Sequence, residues 1–146
     1  MKSVKISKTH VKTKYEKDDF EVFKNELFFY LLGQQKNISF IPKIVSYDCN
    51  KLTICTENVG TTLEEYCNSG EELNTFLPKI KKIYDRFIKM GYYHNDLRYK
   101  NIIINPDTKR LYLIDFEFTD REYKDLDDEN IIKKIKRKSK SKKISK

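Results

Sequence analysis

Four residues in the second half of the chain carry groups able to do chemistry, and they lie close together: His94, Asp96, Asn101 and Asp115. The two aspartates can take up a proton or bind a hard cation. Asn101 offers an amide oxygen, and His94 titrates near neutrality. Singly, each has an ordinary structural reading, a buried histidine or a carboxylate in a turn, since exposed Asp is common. Between them lie two short apolar runs, 101–104 and 111–114, joined by Asn105-Pro106-Asp107, a strong turn signal. The three cysteines, Cys49, Cys55 and Cys67, are spaced by six and twelve residues. That pattern fits neither a disulfide framework nor a zinc site, and reads as free thiols in a reducing compartment.

The string His94-Asn95-Asp96-Leu97-Arg98-Tyr99-Lys100-Asn101 resembles the catalytic loop of the protein-kinase-like superfamily, H-x-D-L-x-x-x-N. Leu113-Ile114-Asp115-Phe116, one hairpin later, resembles its metal-binding motif D-F-G. Two motifs in the right order carry more weight than either alone. The resemblance implies that Asp96 orients the acceptor hydroxyl and accepts its proton. It also implies that Asn101 and Asp115 hold Mg²⁺ on the phosphates of ATP. His94 then supports the loop rather than reacting.

The resemblance extends upstream. Ile41-Pro42-Lys43-Ile44-Val45, then Leu52 through Gly60, look like the two kinase strands leading to the interlobe hinge. Thr56 falls at the gatekeeper position, and the backbone of Glu57 through Val59 is expected to bond the adenine edge. Glu26 matches the kinase helix glutamate. Its lysine partner is expected on the preceding strand, where Ser3-Val4-Lys5-Ile6 best matches V-A-I-K, so Lys5 is the expected partner and Lys8 the second choice. The pattern also departs from the family. With four glycines, Gly33, Gly60, Gly70 and Gly91, a G-x-G-x-x-G loop is impossible. Glu117 replaces the glycine of D-F-G, and no A-P-E motif follows Thr119. The strands roofing the phosphates are expected to be missing.

The elements that must position these residues follow from periodicity. A strand is expected over about 3–8 and a helix over 19–32, capped by Asp18 and Glu21 and ended by Gly33. Strands at 43–47 and 52–57 should form a hairpin turning at 48–51. Thr62/Glu65 and Ser69/Glu72 are capping pairs for a short and a longer helix. Pro78 kinks or restarts the longer one, which stops at Gly91. Residues 92–100 read as a loop. The expected fold is α+β: a protein-kinase-like fold, a reduced two-lobed core lacking the glycine-rich loop and most of the C-terminal lobe. Residues 1–130 form the minimal domain, with 1–60 as reduced N-lobe and hinge and 61–130 as truncated C-lobe.

The net charge of +8 is concentrated at one end. Residues 131–146 hold nine Lys/Arg and no acid, so the rest of the chain carries −1. Such a block reads as a solvated, disordered tail, with contact to nucleic acid or another anionic surface as the functional reading. No apolar leader or membrane span is apparent, and an intracellular protein, cytoplasmic or nuclear, is expected. The resemblance implies ATP and Mg²⁺ as cofactors, and a Ser/Thr protein kinase acting on an unknown protein substrate. Arg98 stands where Ser/Thr kinases usually carry Lys. The alternatives are a pseudokinase acting as a binding module and a small atypical kinase or ATPase linked to RNA.

Overall fold

A computed structural model describes residues 2–124 and Ile131. The expectations for the acidic stretch past 124 and for the basic tail past 131 lie outside the described residues.

The first sheet has four antiparallel strands in the order β1-β2-β4-β3: β1 (Ser3–Ile6), β2 (His10–Lys14), β3 (Ile44–Asp48) and β4 (Thr53–Glu57). The expected single strand at 3–8 is thus the start of a hairpin. Ser7 makes the turn with its own side chain: its Oγ accepts from the His10 N–H at 3.0 Å, and its N–H donates to the His10 carbonyl at 2.8 Å. A Ser turn of this kind competes with strand continuation. Strand alternation then sorts the side chains. Val4, Ile6, Val11, Thr13, Ile54 and Thr56 share one face and line a cavity, while Lys5 and Lys12 lie together on the other face. The β3–β4 turn forms as expected, with Asp48 Oδ1 accepting from the N–H groups of Asn50 and Lys51 at 2.9 and 3.0 Å.

Helix α1 (Phe20–Gln35) packs under this sheet and buries Phe23, Glu26, Phe29, Tyr30 and Gly33. The expected Asp18 cap does not form. The N-cap is Asp19, without a side-chain capping bond, and a 3-10 turn (Lys17–Asp19) leads in. Gly33 does not end the helix either. It lies inside, where a Cβ would meet Ile41 Cγ2 at 2.8 Å, so the glycine serves a close approach.

The second sheet, in the order β5-β6-β7, is built from β5 (Thr61–Thr62), β6 (Ile102–Ile104) and β7 (Leu111–Leu113). Gly60 joins the two parts of the molecule at φ +153, and a Cβ there would lie 2.0 Å from the Ile104 carbonyl oxygen. Around this ribbon lie α2 (Leu63–Tyr66), α3 (Gly70–Asn74) and α4 (Leu77–Lys89). Thr62 and Ser69 cap α2 and α3 by accepting from the Glu65 and Glu72 N–H groups, each at 3.1 Å. Pro78 restarts the helix instead of kinking it, because the missing N–H is tolerated in a first turn. Leu77, Ile80, Tyr84 and Phe87 form the buried stripe of α4.

Phe116 sits at the centre of the core, fully buried. Its ring is 5.6 Å from Phe29, 5.3 Å from Tyr30, 6.1 Å from Phe87 and 5.6 Å from His94. The residue after Asp115 therefore ties α1 to α4. Ile131, assigned from sequence to the solvated tail, is 1% exposed and belongs to this core. Ile131, Ile132 and Ile135 open the basic run, and the charge of the lysines around them outweighs that short apolar spacing in a reading by composition.

Candidate functional site

The loop after α4 is held by its own polar side chains. His94 is fully buried, with Nδ1 3.2 Å from the Asp96 N–H and Nε2 2.8 Å from the Ile114 carbonyl. The first contact requires an acceptor at Nδ1, so Nε2 carries the proton and donates. Burial holds its pKa below the ordinary histidine value, and the Ile114 carbonyl and the nearby Asp115 and Asp96 offset only part of that. The imidazole therefore stays neutral and clamps the loop to the end of β7. Thr119 Oγ1 donates to the His94 carbonyl at 3.1 Å.

Asp96 is nearly buried, and both carboxylate oxygens are engaged. Arg98 Nε donates to Oδ1 at 2.7 Å, and Asn101 Nδ2 to Oδ2 at 3.1 Å. Asn101 Nδ2 also donates to the Asp96 carbonyl at 2.9 Å. The five-residue spacing thus closes a loop whose ends are bonded to each other. Asn95 and Asp115 take left-handed φ of +68° and +63°, conformations that Asn and Asp tolerate better than most residues. Asn95 fixes the next segment, donating from Nδ2 to the Phe118 and Glu122 carbonyls at 2.9 and 3.0 Å. Asn25 does the same from α1, reaching the Phe116 and Thr119 carbonyls at 2.7 and 3.1 Å. Sequence reasoning missed both asparagines, since nothing in their local pattern marks a distant carbonyl.

A cleft of about 360 Å³ opens between the first sheet and the β5–β6–β7 ribbon. At one end lie Thr56, Glu57, Asn58 and Val59; at the other lie Lys2, Glu26, Tyr30 and Asp115. The N–H groups of Glu57 and Asn58 are committed to the Lys43 and Thr9 carbonyls at 2.9 and 3.0 Å. Asp96 and Asn101 do not line this cleft. They join it through Ile114, whose N–H donates to the Asn101 carbonyl at 3.1 Å.

The lysine facing Glu26 is Lys2, which replaces Lys5 in that place. Lys2 Nζ is 2.7 Å from Glu26 Oε1 and 3.1 Å from Asp115 Oδ1. Lys5 is exposed on the opposite face of β1, and Lys8 is exposed in the hairpin turn. The signal was available in strand parity: side chains alternate, so a lysine at position 2 shares the face of Val4 and Ile6, and one at position 5 does not. Burial pulls the Lys2 ammonium toward losing its proton, but Glu26 and Asp115 outweigh that, and its pKa rises. Burial raises the pKa of Glu26 despite the opposing pull of Lys2. The Tyr15 phenol, beside Glu26, is pushed far above its ordinary value by burial and then by that carboxylate.

Among the described residues no cluster of three or more His, Cys, Asp or Glu side chains could cage a metal. Mg²⁺ is usually held by one or two protein oxygens together with substrate phosphates; Asp115 lines the cleft, and Asn101 lies outside that lining.

The chain matches the Choline/ethanolamine kinase family over residues 9–138. A Dictyostelium discoideum protein described as "Probable serine/threonine-protein kinase fnkB" is 32% identical over 94 residues, 59% of this chain and 18% of that protein. The kinase PK-1 of Cydia pomonella granulovirus superimposes with a TM-score of 0.61 at 15% identity, covering 76% of this chain and 43% of that one. That likeness is one of fold. The chain thus spans less than half the length of either relative. Its antiparallel α+β architecture is that of a reduced kinase-like core, and among the described residues no helix is long and apolar enough to cross a membrane. By its match across most of its length, from β2 past the loop that binds Asp96 to Asn101, the chain belongs to the Choline/ethanolamine kinase family of kinase-like phosphotransferases.

Proposed function

We propose that this chain is a Mg²⁺- and ATP-dependent phosphotransferase that passes the γ-phosphate of ATP to a Ser or Thr hydroxyl on a protein. The cleft carries this reading: it has a backbone edge at residues 57–59, a lysine–glutamate pair at its far end, and Asp115 beside that pair. Its volume is that of a small-molecule site. The Glu57 carbonyl and the Val59 N–H serve the adenine edge, with Thr56 behind it. Lys2 faces the phosphates. Asp115 and Asn101 would hold Mg²⁺, which would supply charge neutralisation across the phosphates. The acceptor oxygen attacks the γ-phosphorus as the bond from that phosphorus to the β–γ bridging oxygen breaks. ADP leaves, and the hydroxyl proton goes to Asp96. Arg98 and Asn101 keep the Asp96 carboxylate oriented for that transfer. Arg98 at this position and the Dictyostelium relative both favour a protein acceptor.

A second reading has its own support. The family match, and Glu117 beside Asp115, favour an acceptor that carries an ammonium, such as choline or ethanolamine. Burial and the neighbouring Asp115 raise the Glu117 pKa, which marks a concentration of carboxylates where a cation would be attracted. Calorimetry with Mg·ATP, followed by transfer of labelled γ-phosphate to protein acceptors, choline and ethanolamine, decides between them. Binding with label on protein supports the first reading, and label on the amino alcohol the second. No nucleotide binding at millimolar ATP would leave a binding module that uses the same fold.

A further inference from the structure

We infer that the phosphate-directed cation of this site is supplied by Lys2, from the lead-in to the edge strand, and that the neighbouring strand has ceded that task by carrying Thr13 on its inward face. The inference rests on the cleft being a nucleotide site and concerns where its cation comes from. β2 is the strand that leads into α1 and pairs with β4, so it lies nearest the middle of the cleft roof. Its inward side chains are Val11 and Thr13, and neither carries charge. Its lysines, Lys12 and Lys14, are exposed. Glu26, 3% exposed, would then be a buried carboxylate without a countercharge, which is unfavourable. Lys2 resolves this from one strand further out, and among the described residues no other cation pairs with Glu26 or Asp115.

The register makes the relocation geometrically simple. Val4 stands opposite Thr13, and Ser3 opposite Lys14. Lys2 is therefore a same-face diagonal neighbour of Thr13, a spacing of about 7–8 Å that long side chains span. Lys2 Nζ also lies 5.9 Å from the ring centroid of Tyr15, the residue that follows β2, so an aromatic face flanks the ammonium. An ammonium on either strand could reach the same carboxylates, and this chain uses the outer one. The site's cation consequently rides on the β1–β2 hairpin, which the protein must seat against α1 to present it.

The test measures nucleotide affinity of the full chain by calorimetry with Mg·ATP, Mg·ADP and adenosine. Lys2→Met should weaken ATP and ADP about tenfold or more, the scale of one charge-assisted hydrogen bond, and leave adenosine unchanged. Thr13→Lys in the Lys2→Met background should return ATP affinity to within a few-fold of the parent. Because Lys2→Met strands Glu26, Lys2→Met/Glu26→Gln removes both charges and should fold while still binding ATP weakly. Full ATP affinity in Lys2→Met, or a loss in Lys5→Met instead, overturns the inference. So does an equal loss for ATP and adenosine, which would make Lys2 structural, or a failure of Thr13→Lys to improve on Lys2→Met. If the parent chain bound no nucleotide, the proposed function itself would fall, a result distinct from all of these.

Discussion

Phe116 and Phe118 lie two residues apart in the same segment and should respond to truncation very differently. Phe116 is fully buried, in ring contact with Phe29, Tyr30, Phe87 and His94. Phe118 is 39% exposed, and only its carbonyl, which a substitution keeps, is bonded to Asn95. Phe→Ala in a close-packed core costs about 3–5 kcal/mol, the transfer of the ring plus the cavity left behind. Ring pairs of the kind Phe116 makes add about 0.5–1.5 kcal/mol each beyond area, so Phe116→Ala belongs at the upper end. Against a total stability of about 5–15 kcal/mol, this is a third or more of the whole. Urea unfolding followed by circular dichroism should show the midpoint falling by about 2 M for a slope of about 2 kcal/mol/M. Thermal melting should fall by about 10–15 °C. Phe118→Ala should stay within about 1 kcal/mol of the parent. A loss below about 1 kcal/mol for Phe116→Ala, or equal losses at the two positions, would refute the placement of Phe116 at the junction of α1 and α4.

Asp96→Asn should abolish phosphotransfer while leaving Mg·ATP affinity near the parent value, since Asp96 lies outside the nucleotide cleft; matched calorimetry and transfer assays check it, and a fully active variant would refute the assigned role. His94, with its pKa lowered, is neutral in the native state and protonates more readily once unfolded. Its contribution is therefore complete above about pH 6.5 and is lost as pH falls below that, by up to about 1.4 kcal/mol per pH unit. Glu26, with a raised pKa, acts in the opposite sense, its share falling as pH rises, so the His94 share is read as the difference between parent and His94→Gln in urea titrations from pH 5 to 8. Ile131→Ala should cost about 2–5 kcal/mol, measured in the same unfolding assay, so a chain ended at residue 130 should be less stable than one ended a few residues later. Deleting the lysines beyond Ile131 should remove RNA or DNA binding in a gel shift; in the full chain that binding should fall steeply with salt, and equal binding by both forms would move the contact to the body.

The geometry of the loop is legible because it is local: Asp96 and Asn101, five apart, bond to each other, and Asp115 follows one hairpin later. The caps at Thr62 and Ser69 were legible for the same local reason. What failed was decided at a distance. Gly33 read as a helix terminator because its sequence neighbourhood cannot reveal that Ile41 presses against it. The Ser7 turn escaped because it lacks Gly and Pro and closes through a side chain. In a lysine-rich stretch, likeness to V-A-I-K points to Lys5, whereas strand parity points to Lys2, the residue that reaches Glu26. Ile131 was assigned to solvent by the charge of its neighbours.

The two asparagine amides that fasten residues 116–122 have a mechanical consequence. Asn25 pins that segment to α1, Asn95 pins it to the loop carrying Asp96, and Thr119 is itself bonded to His94. Helix, segment and loop are therefore riveted into one body. A swing of α1 that withdrew Glu26 would drag the Phe116 backbone and strain the His94 clamp, so the helix is a poor lever for altering the cleft. β2 is fastened as well, by its ladder to β4 and by Asn58, which donates to the Ser7 and Thr9 carbonyls at 2.8 and 3.0 Å. The lighter lever is β1 itself: among the described residues its sheet partner is β2 alone, and the Lys2 ammonium just before it reaches Glu26 and Asp115. A partner that peeled β1 from β2 would withdraw that ammonium from the cleft while leaving the loop at 94–101 in place.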